Sequence, residues 1–183
     1  MKNIGLLNPK ETALLVIDIQ EKLMPVVQDA TNLFLNANRL IKAANTLQLP
    51  ILITEQYPSG LGNTCKEIEQ IEQAKIIEKI CFSCMQSQQI LDRLKQNNIK
   101  SIIVCGVESH ICVLKTALDA LANNFDVHVV ADAVSSRTNA NKNLALERMR
   151  QSGAFIVSTE MVLFQLIDQA GTDQFKIISK LIK

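Results

Sequence analysis

One thiol in this chain is placed to do chemistry. Cys112 stands just beyond an apolar run, Ser101 to Cys105, where a helical pattern begins. A free thiol is mostly protonated at neutral pH, and a helix N-terminus or a nearby ammonium favours its thiolate. Cys112 has the first by position, and Lys79 could supply the second, which would lower its pKa and make it alkylate faster than Cys65, Cys81, Cys84 or Cys105. A base must then take the proton. His110 and His128 are the only histidines. His110 lies so close before Cys112 that, on a helix start, the two side chains point apart. His128 sits inside an apolar strand and reads as a satisfied core or surface side chain. The remaining candidate is a carboxylate at a strand end, Asp18. A buried, inert cysteine at a helix start fits the same spacing equally well.

Other motifs offer less. Cys81 and Cys84 form a CxxC, which can be a redox centre or half of a zinc site. Zinc would need two more ligands, and no second CxxC or HxxxH exists, so packing thiols is the favoured reading. No apolar run is followed by GxGxxG or GxxxxGK[ST], and GxSxG is absent. "YPSGLGN", Tyr57 to Asn63, reads as a plain turn.

The elements that must position these residues follow from hydrophobic periodicity. Short apolar runs precede Asp18, Glu55, Glu78 with Lys79, Gly106 and Asp132, and another, "FIV", follows Gly153. Such runs read as strands buried on both faces. Between them lie segments with helical spacing, including Leu33, Ala37, Leu40, Ile41, Ala44 and Leu47, and later Leu144, Leu146 and Met149. Alternation of this kind implies a parallel sheet covered on both faces. Pro25 should disturb the segment after Asp18, and Asn123 with Asn124 should end the helix that follows Cys112. Ligands of open α/β sheets bind outside the carboxyl ends of the strands, so Asp18, Glu55, Lys79, Asp132 and the turn from Gly106 to Cys112 should gather on one edge.

Composition sets the outer limits. The 183 residues fit one domain spanning 1–183, without repeats, low-complexity tracts or a linker. A net charge of +1 with scattered Lys and Arg gives no electrostatic footprint for nucleic acid. The N-terminus lacks the apolar core of a secretory signal, and no run approaches the length that spans a bilayer. A cytoplasmic protein without membrane partners is expected, and its five cysteines, an odd number, should be reduced.

Three motifs in order, "LLVIDIQEKL" with Asp18, "EKICFS" with Lys79 and "VCGVESHICV" with Cys112, resemble the isochorismatase-like cysteine hydrolase superfamily over nearly the whole chain. "TEQYPSGLG", "CFS" and "RMRQSGAF" are closest to the subgroup called isochorismatase domain-containing proteins. The resemblance implies a three-layer α/β/α Rossmann-like fold with a six-stranded parallel sheet, homo-oligomeric assembly, and a triad of Asp18, Lys79 and Cys112. It also implies a non-proline cis peptide at Val107–Glu108, whose use would be to turn the Glu108 N–H toward the same point as the Cys112 N–H, forming an oxyanion hole. Gln20, Tyr57 and Phe82 are candidate pocket walls.

Relatives include nicotinamidases, carbamoyl amidases and vinyl-ether hydrolases. The vinyl-ether enzymes typically lack this thiol, so Cys112 points to C–N hydrolysis of a small molecule. Nicotinamidases of the superfamily carry Asp and His metal ligands after the second strand. "ITEQYPSGLGN" has no histidine there, so no metal or other cofactor is expected, and activity should survive EDTA. The competing expectation is a thiol-based redox sensor or protein-interaction module on the same fold, using Cys112 and Cys84 without turnover.

Overall fold

The apolar runs become six strands in a computed structural model that describes residues 4–183. They are β1 (Thr12–Ile17), β2 (Ile51–Gln56), β3 (Lys75–Lys79), β4 (Ser101–Val107), β5 (Asp126–Ser135) and β6 (Phe155–Val157). Every pairing is parallel, in the order β3-β2-β1-β4-β5-β6. Strands β1, β2 and β4 are buried along their whole length, as continuous apolar runs require, whereas the edge strand β3 is mostly exposed.

Side chains alternate across β1 and feed two cores. Leu14 and Val16 pack with Leu33, Ala37, Leu40 and Ile41 of α1 (Ala30–Leu47). Ala13, Leu15 and Ile17 face the opposite layer. There they meet Ile90 and Leu94 of α3 (Gln88–Gln96), Ala117 and Ala120 of α4 (Leu114–Ala122), and Ala145 and Met149 of α5 (Asn139–Gln151). The three-layer α/β/α arrangement implied by the sequence is thus present. A short helix α2 (Pro58–Leu61) replaces the plain turn expected of "YPSGLGN". Helices α6 (Thr159–Gln165) and α7 (Asp173–Ile178) add a small cluster, Leu163 and Ile178 against Ala43 of α1. Among the described residues no helix is long and apolar enough to cross a membrane.

Local signals explain the boundaries. Pro25 sits in a single 3-10 turn, Met24–Val26, and α1 starts only at Ala30. Asn123 closes α4. Thr138, Ser158 and Thr172 cap α5, α6 and α7 by accepting from the N–H of Asn141, Met161 and Phe175. Gly106 is demanded by contact: it pairs with Ile17, has φ +113°, and a Cβ there would stand 2.0 Å from the Ile17 carbonyl oxygen. The close approach of β4 to β1 falls where the strand order reverses, the point at which such sheets open a crevice at their carboxyl edge.

His128 departs from expectation. It is a core residue, fully buried on β5 and stacked on Phe155 with centroids 5.0 Å apart, but neither ring nitrogen has a hydrogen-bond partner. Burial holds its pKa down at about 4.

Candidate active site

Three adjacent strand ends build the polar part of the site. The chain leaves β1 through Asp18, which adopts φ 52° and donates its N–H to the Thr54 carbonyl at 3.1 Å. Its carboxylate accepts from Thr54 Oγ1 at 2.6 Å on Oδ1 and from Lys79 Nζ at 2.7 Å on Oδ2. Lys79 ends β3, paired in register with Gln56, and its stem crosses the intervening strand β2 to reach Asp18. The same ammonium donates to Gln56 Oε1 at 2.8 Å. Gln56 Nε2 donates to the Ile80 carbonyl at 2.6 Å, so the amide cannot turn over without losing both contacts.

The fourth wall comes from β4. Beyond Val107 the chain passes through Glu108 into a π-helical turn, Ser109–Val113, that runs directly into α4. Cys112 lies in that turn, 6% exposed, with its thiol close enough to the Asp18 carboxylate for each to shift the other's proton affinity. The Val107–Glu108 peptide is cis, as the resemblance implies. The Glu108 carboxylate is not idle: Oε2 accepts from the Arg137 N–H and from Arg137 Nε, each at 3.1 Å.

The electrostatics differ from the sequence-based expectation. Burial raises the Asp18 pKa above the usual carboxylate range, against the pull of Lys79, of the hydrogen bonds from Lys79 and Thr54, and of the Cys112 thiol. Burial would depress Lys79, but the negative charge of Asp18 leads the effects that raise it and keep it an ammonium. Cys112 is pushed up, first by burial and then by Asp18, and Lys79 does not compensate. The resting thiol is therefore protonated, and the expected lowering of its pKa by Lys79 and the helix start is corrected. What the site provides instead is a buried carboxylate, Asp18, whose charge acts on the thiol.

Other sequence-derived candidates separate. Glu55 points away, its Oε1 accepting from Thr64 N and Oγ1 at 2.6 and 2.7 Å. Asp132 lies within β5, where its carboxylate accepts from the Thr159 N–H and Oγ1 at the start of α6. Gln20 is fully buried, with its amide spent on the Gln56 backbone and the Gly62 carbonyl, so it braces the loops and offers no pocket surface. Tyr57 and Phe82 are about half exposed beyond the ends of β2 and β3. His110 bonds Ser136 Oγ through Nδ1 at 3.0 Å. Cys81 is partly buried and Cys84 fully so; both are free thiols. Cys84 Sγ lies 4.0 Å from Thr54 Oγ1 and burial pushes it up to about 12. Among the described residues no group of three or more His, Cys, Asp or Glu is arranged to hold a metal.

Thr54 and Gln56 were missed from sequence. The signal was present, because period-two alternation puts them on the face opposite Glu55. Arg137 gave no signal, being distant in sequence from every motif.

With this geometry in place, comparison with known proteins gives the family. The isochorismatase domain matches residues 12–161. The chain belongs to the isochorismatase family. It is 44% identical to isochorismatase family protein 1A of Dictyostelium discoideum over 96% of this chain and 88% of that one. It is 41% identical to human isochorismatase domain-containing protein 2, covering 99% and 87% of the two chains. Among solved structures it resembles the MAR1 ribonuclease of Caenorhabditis elegans, with TM-score 0.91, 37% identity and coverage of 96% and 91%. It also resembles the Escherichia coli YcaC gene product, described as an octameric hydrolase of unknown specificity, with TM-score 0.84, 27% identity and coverage of 91% and 84%.

Proposed function

We propose that this isochorismatase-family chain is a cysteine hydrolase that cleaves the C–N bond of a small amide or carbamoyl compound. The observation that carries the reading is the buried cluster in which the Asp18 carboxylate acts on the Cys112 thiol while Lys79 Nζ holds Asp18 Oδ2. Asp18 takes the thiol proton as sulfur attacks the carbonyl carbon. Burial raises the affinity of Asp18 for that proton, and Lys79 retains the carboxylate in place. The backbone N–H groups of Glu108 and Cys112 stabilise the oxyanion. As the intermediate collapses the C–N bond breaks, and Asp18 gives the proton to the leaving nitrogen. A thioester remains. Water attacks it, giving a proton to Asp18; the C–S bond then breaks, the acid leaves, and Asp18 returns the proton to sulfur.

The likeness to an octameric hydrolase supports a homo-oligomer, which light scattering will show as a mass above 20.3 kDa. The sensor reading is weakened at Cys84, which is fully buried and whose thiol burial pushes up to about 12. The test is an ammonia-release screen over amides, carbamoyl compounds and ureas, run beside Cys112→Ser, with an RNA arm prompted by the name of the nematode relative. Release abolished by Cys112→Ser supports the proposal. RNA cleavage without ammonia release, or reversible oxidation without turnover, overturns it.

A further inference from the structure

A second cavity lies on the α1 side of the sheet, away from the thiol. Beyond β1 and β2 the two chain segments pair antiparallel, Gln20 against Thr64. The Glu21 N–H donates to the Asn63 carbonyl at 3.1 Å, and the Cys65 N–H to the Ile19 carbonyl at 2.9 Å. Between these segments and the first turns of α1 is a space of about 460 Å³, within the range of small-molecule sites. Its apolar walls are Met24, Pro25 and Phe34, and Cys65, 6% exposed, lines it too. Asn38 of α1 fixes the neighbouring loop, with Nδ2 donating to the Glu67 carbonyl at 2.7 Å and Oδ1 accepting the Glu69 N–H at 2.9 Å. Met24 and Cys65 belong to the core beneath α1 and Cys112 to the opposite core, so this cavity is distinct from the hydrolase site.

The charges around it do not cancel. Glu21, Lys66 and Glu67 line the cavity, and none of them makes an ion pair among the described residues. Glu21 Oε2 accepts from the Asn63 N–H at 3.3 Å, and the Glu67 carboxylate has no hydrogen-bond partner among the described residues. The Cys65 thiol senses both: burial first, then the Glu67 and Glu21 charges, push it up to about 11. Its own backbone N–H opposes them, and the adjacent Lys66 does not. Two carboxylates thus act into a space with apolar walls. A guest there gains from a positive charge beside Glu21 and Glu67 and from an apolar body against Met24, Pro25 and Phe34. An anion is repelled, and among the described residues no group of three or more His, Cys, Asp or Glu is arranged to hold a metal.

We propose that this cavity is a binding site for a small primary aliphatic amine, with its ammonium at Glu21 and Glu67 and its chain against Met24, Pro25 and Phe34. The site stands independently of the hydrolase reading.

The probe is n-pentylammonium, titrated at pH 7 against the full chain by saturation-transfer NMR, with n-pentanol and pentanoate as its neutral and anionic counterparts. Wild-type protein should bind pentylammonium with a dissociation constant of about 1 mM, at least about 10-fold more tightly than pentanol, and should not bind pentanoate. Glu21→Gln and Glu67→Gln should each weaken binding about fivefold, the attraction of two unit charges about 4 Å apart in water, and about 25-fold together. Lys66→Gln should leave binding unchanged or tighten it. All three side chains are exposed, so the variants should keep the fold, which urea unfolding verifies. Equal affinity for pentanol and pentylammonium, or unchanged affinity in the double variant, overturns the proposal. So does absence of pentylammonium binding to the wild type, or a light-scattering mass that falls in the double variant, which would assign this surface to a second copy of the chain.

Discussion

His128 should make the protein acid-sensitive in a window that can be calculated. The folded chain resists protonation of this ring until about pH 4, because burial leaves a charged imidazole with no partner on either nitrogen. The Asp126 charge opposes this effect, and in the unfolded chain the ring protonates near 6.5. Between those values the unfolded state binds the extra proton, so stability falls as pH falls, and the contribution is intact above 6.5. At about 1.4 kcal/mol per unit, the gap corresponds to roughly 3 kcal/mol when fully developed, and to roughly 2 kcal/mol between pH 7 and pH 5. His128→Leu removes the titrating group and its two unpaired nitrogens while retaining an apolar body against Phe155. Urea unfolding of both proteins at pH 7 and pH 5 isolates the term, since carboxylates elsewhere titrate alike in each. The wild type should lose roughly 2 kcal/mol more than the variant over that interval. Parallel losses would show that the ring is solvated or paired in the folded state and refute the reasoning.

Iodoacetamide labelling of Cys112 should depend on Asp18 as acceptor: peptide mapping should show it suppressed in Asp18→Asn while the more accessible Cys81 labels as before. The Cys112 rate should fall as pH drops through a value above the ordinary carboxylate range, because a protonated Asp18 cannot take the thiol proton. Gln56→Glu places a second carboxylate beside Lys79, which should raise the Asp18 pKa further and move that fall to higher pH; an unmoved profile would remove Gln56 from the network. Gly106→Ala should destabilise the fold by about 2 kcal/mol or more in urea unfolding, since its Cβ would meet the Ile17 carbonyl and its φ is positive.

The sheet was legible because each buried strand is a short apolar run with a polar residue at its carboxyl end. Asp18 and Lys79 were legible for the same reason, and Cys112 because it follows such a run. Helices α6 and α7 were not, since each is short and buries only one to three residues, too few to set up a period. Asp132 and Glu55 share the strand-end signature but turn to the opposite layer or cap a helix, a choice made by side-chain alternation and by distant hydroxyls. The thiol's protonation was misjudged because sequence position reveals the helix start and a lysine but not the burial that outweighs them. Arg137 was invisible because its partner, Glu108, lies 29 positions away in sequence.

The central claim is that Cys112 forms a covalent acyl intermediate with its proton held by Asp18. Its most direct measurement is acid-quenched, single-turnover mass spectrometry with the amide that the ammonia screen turns over fastest. An acyl mass mapped to the Cys112 peptide in the wild type, absent in Cys112→Ser and strongly reduced in Asp18→Asn, is the expected result. Turnover that proceeds in Cys112→Ser, or an acyl group on any other residue, would contradict it.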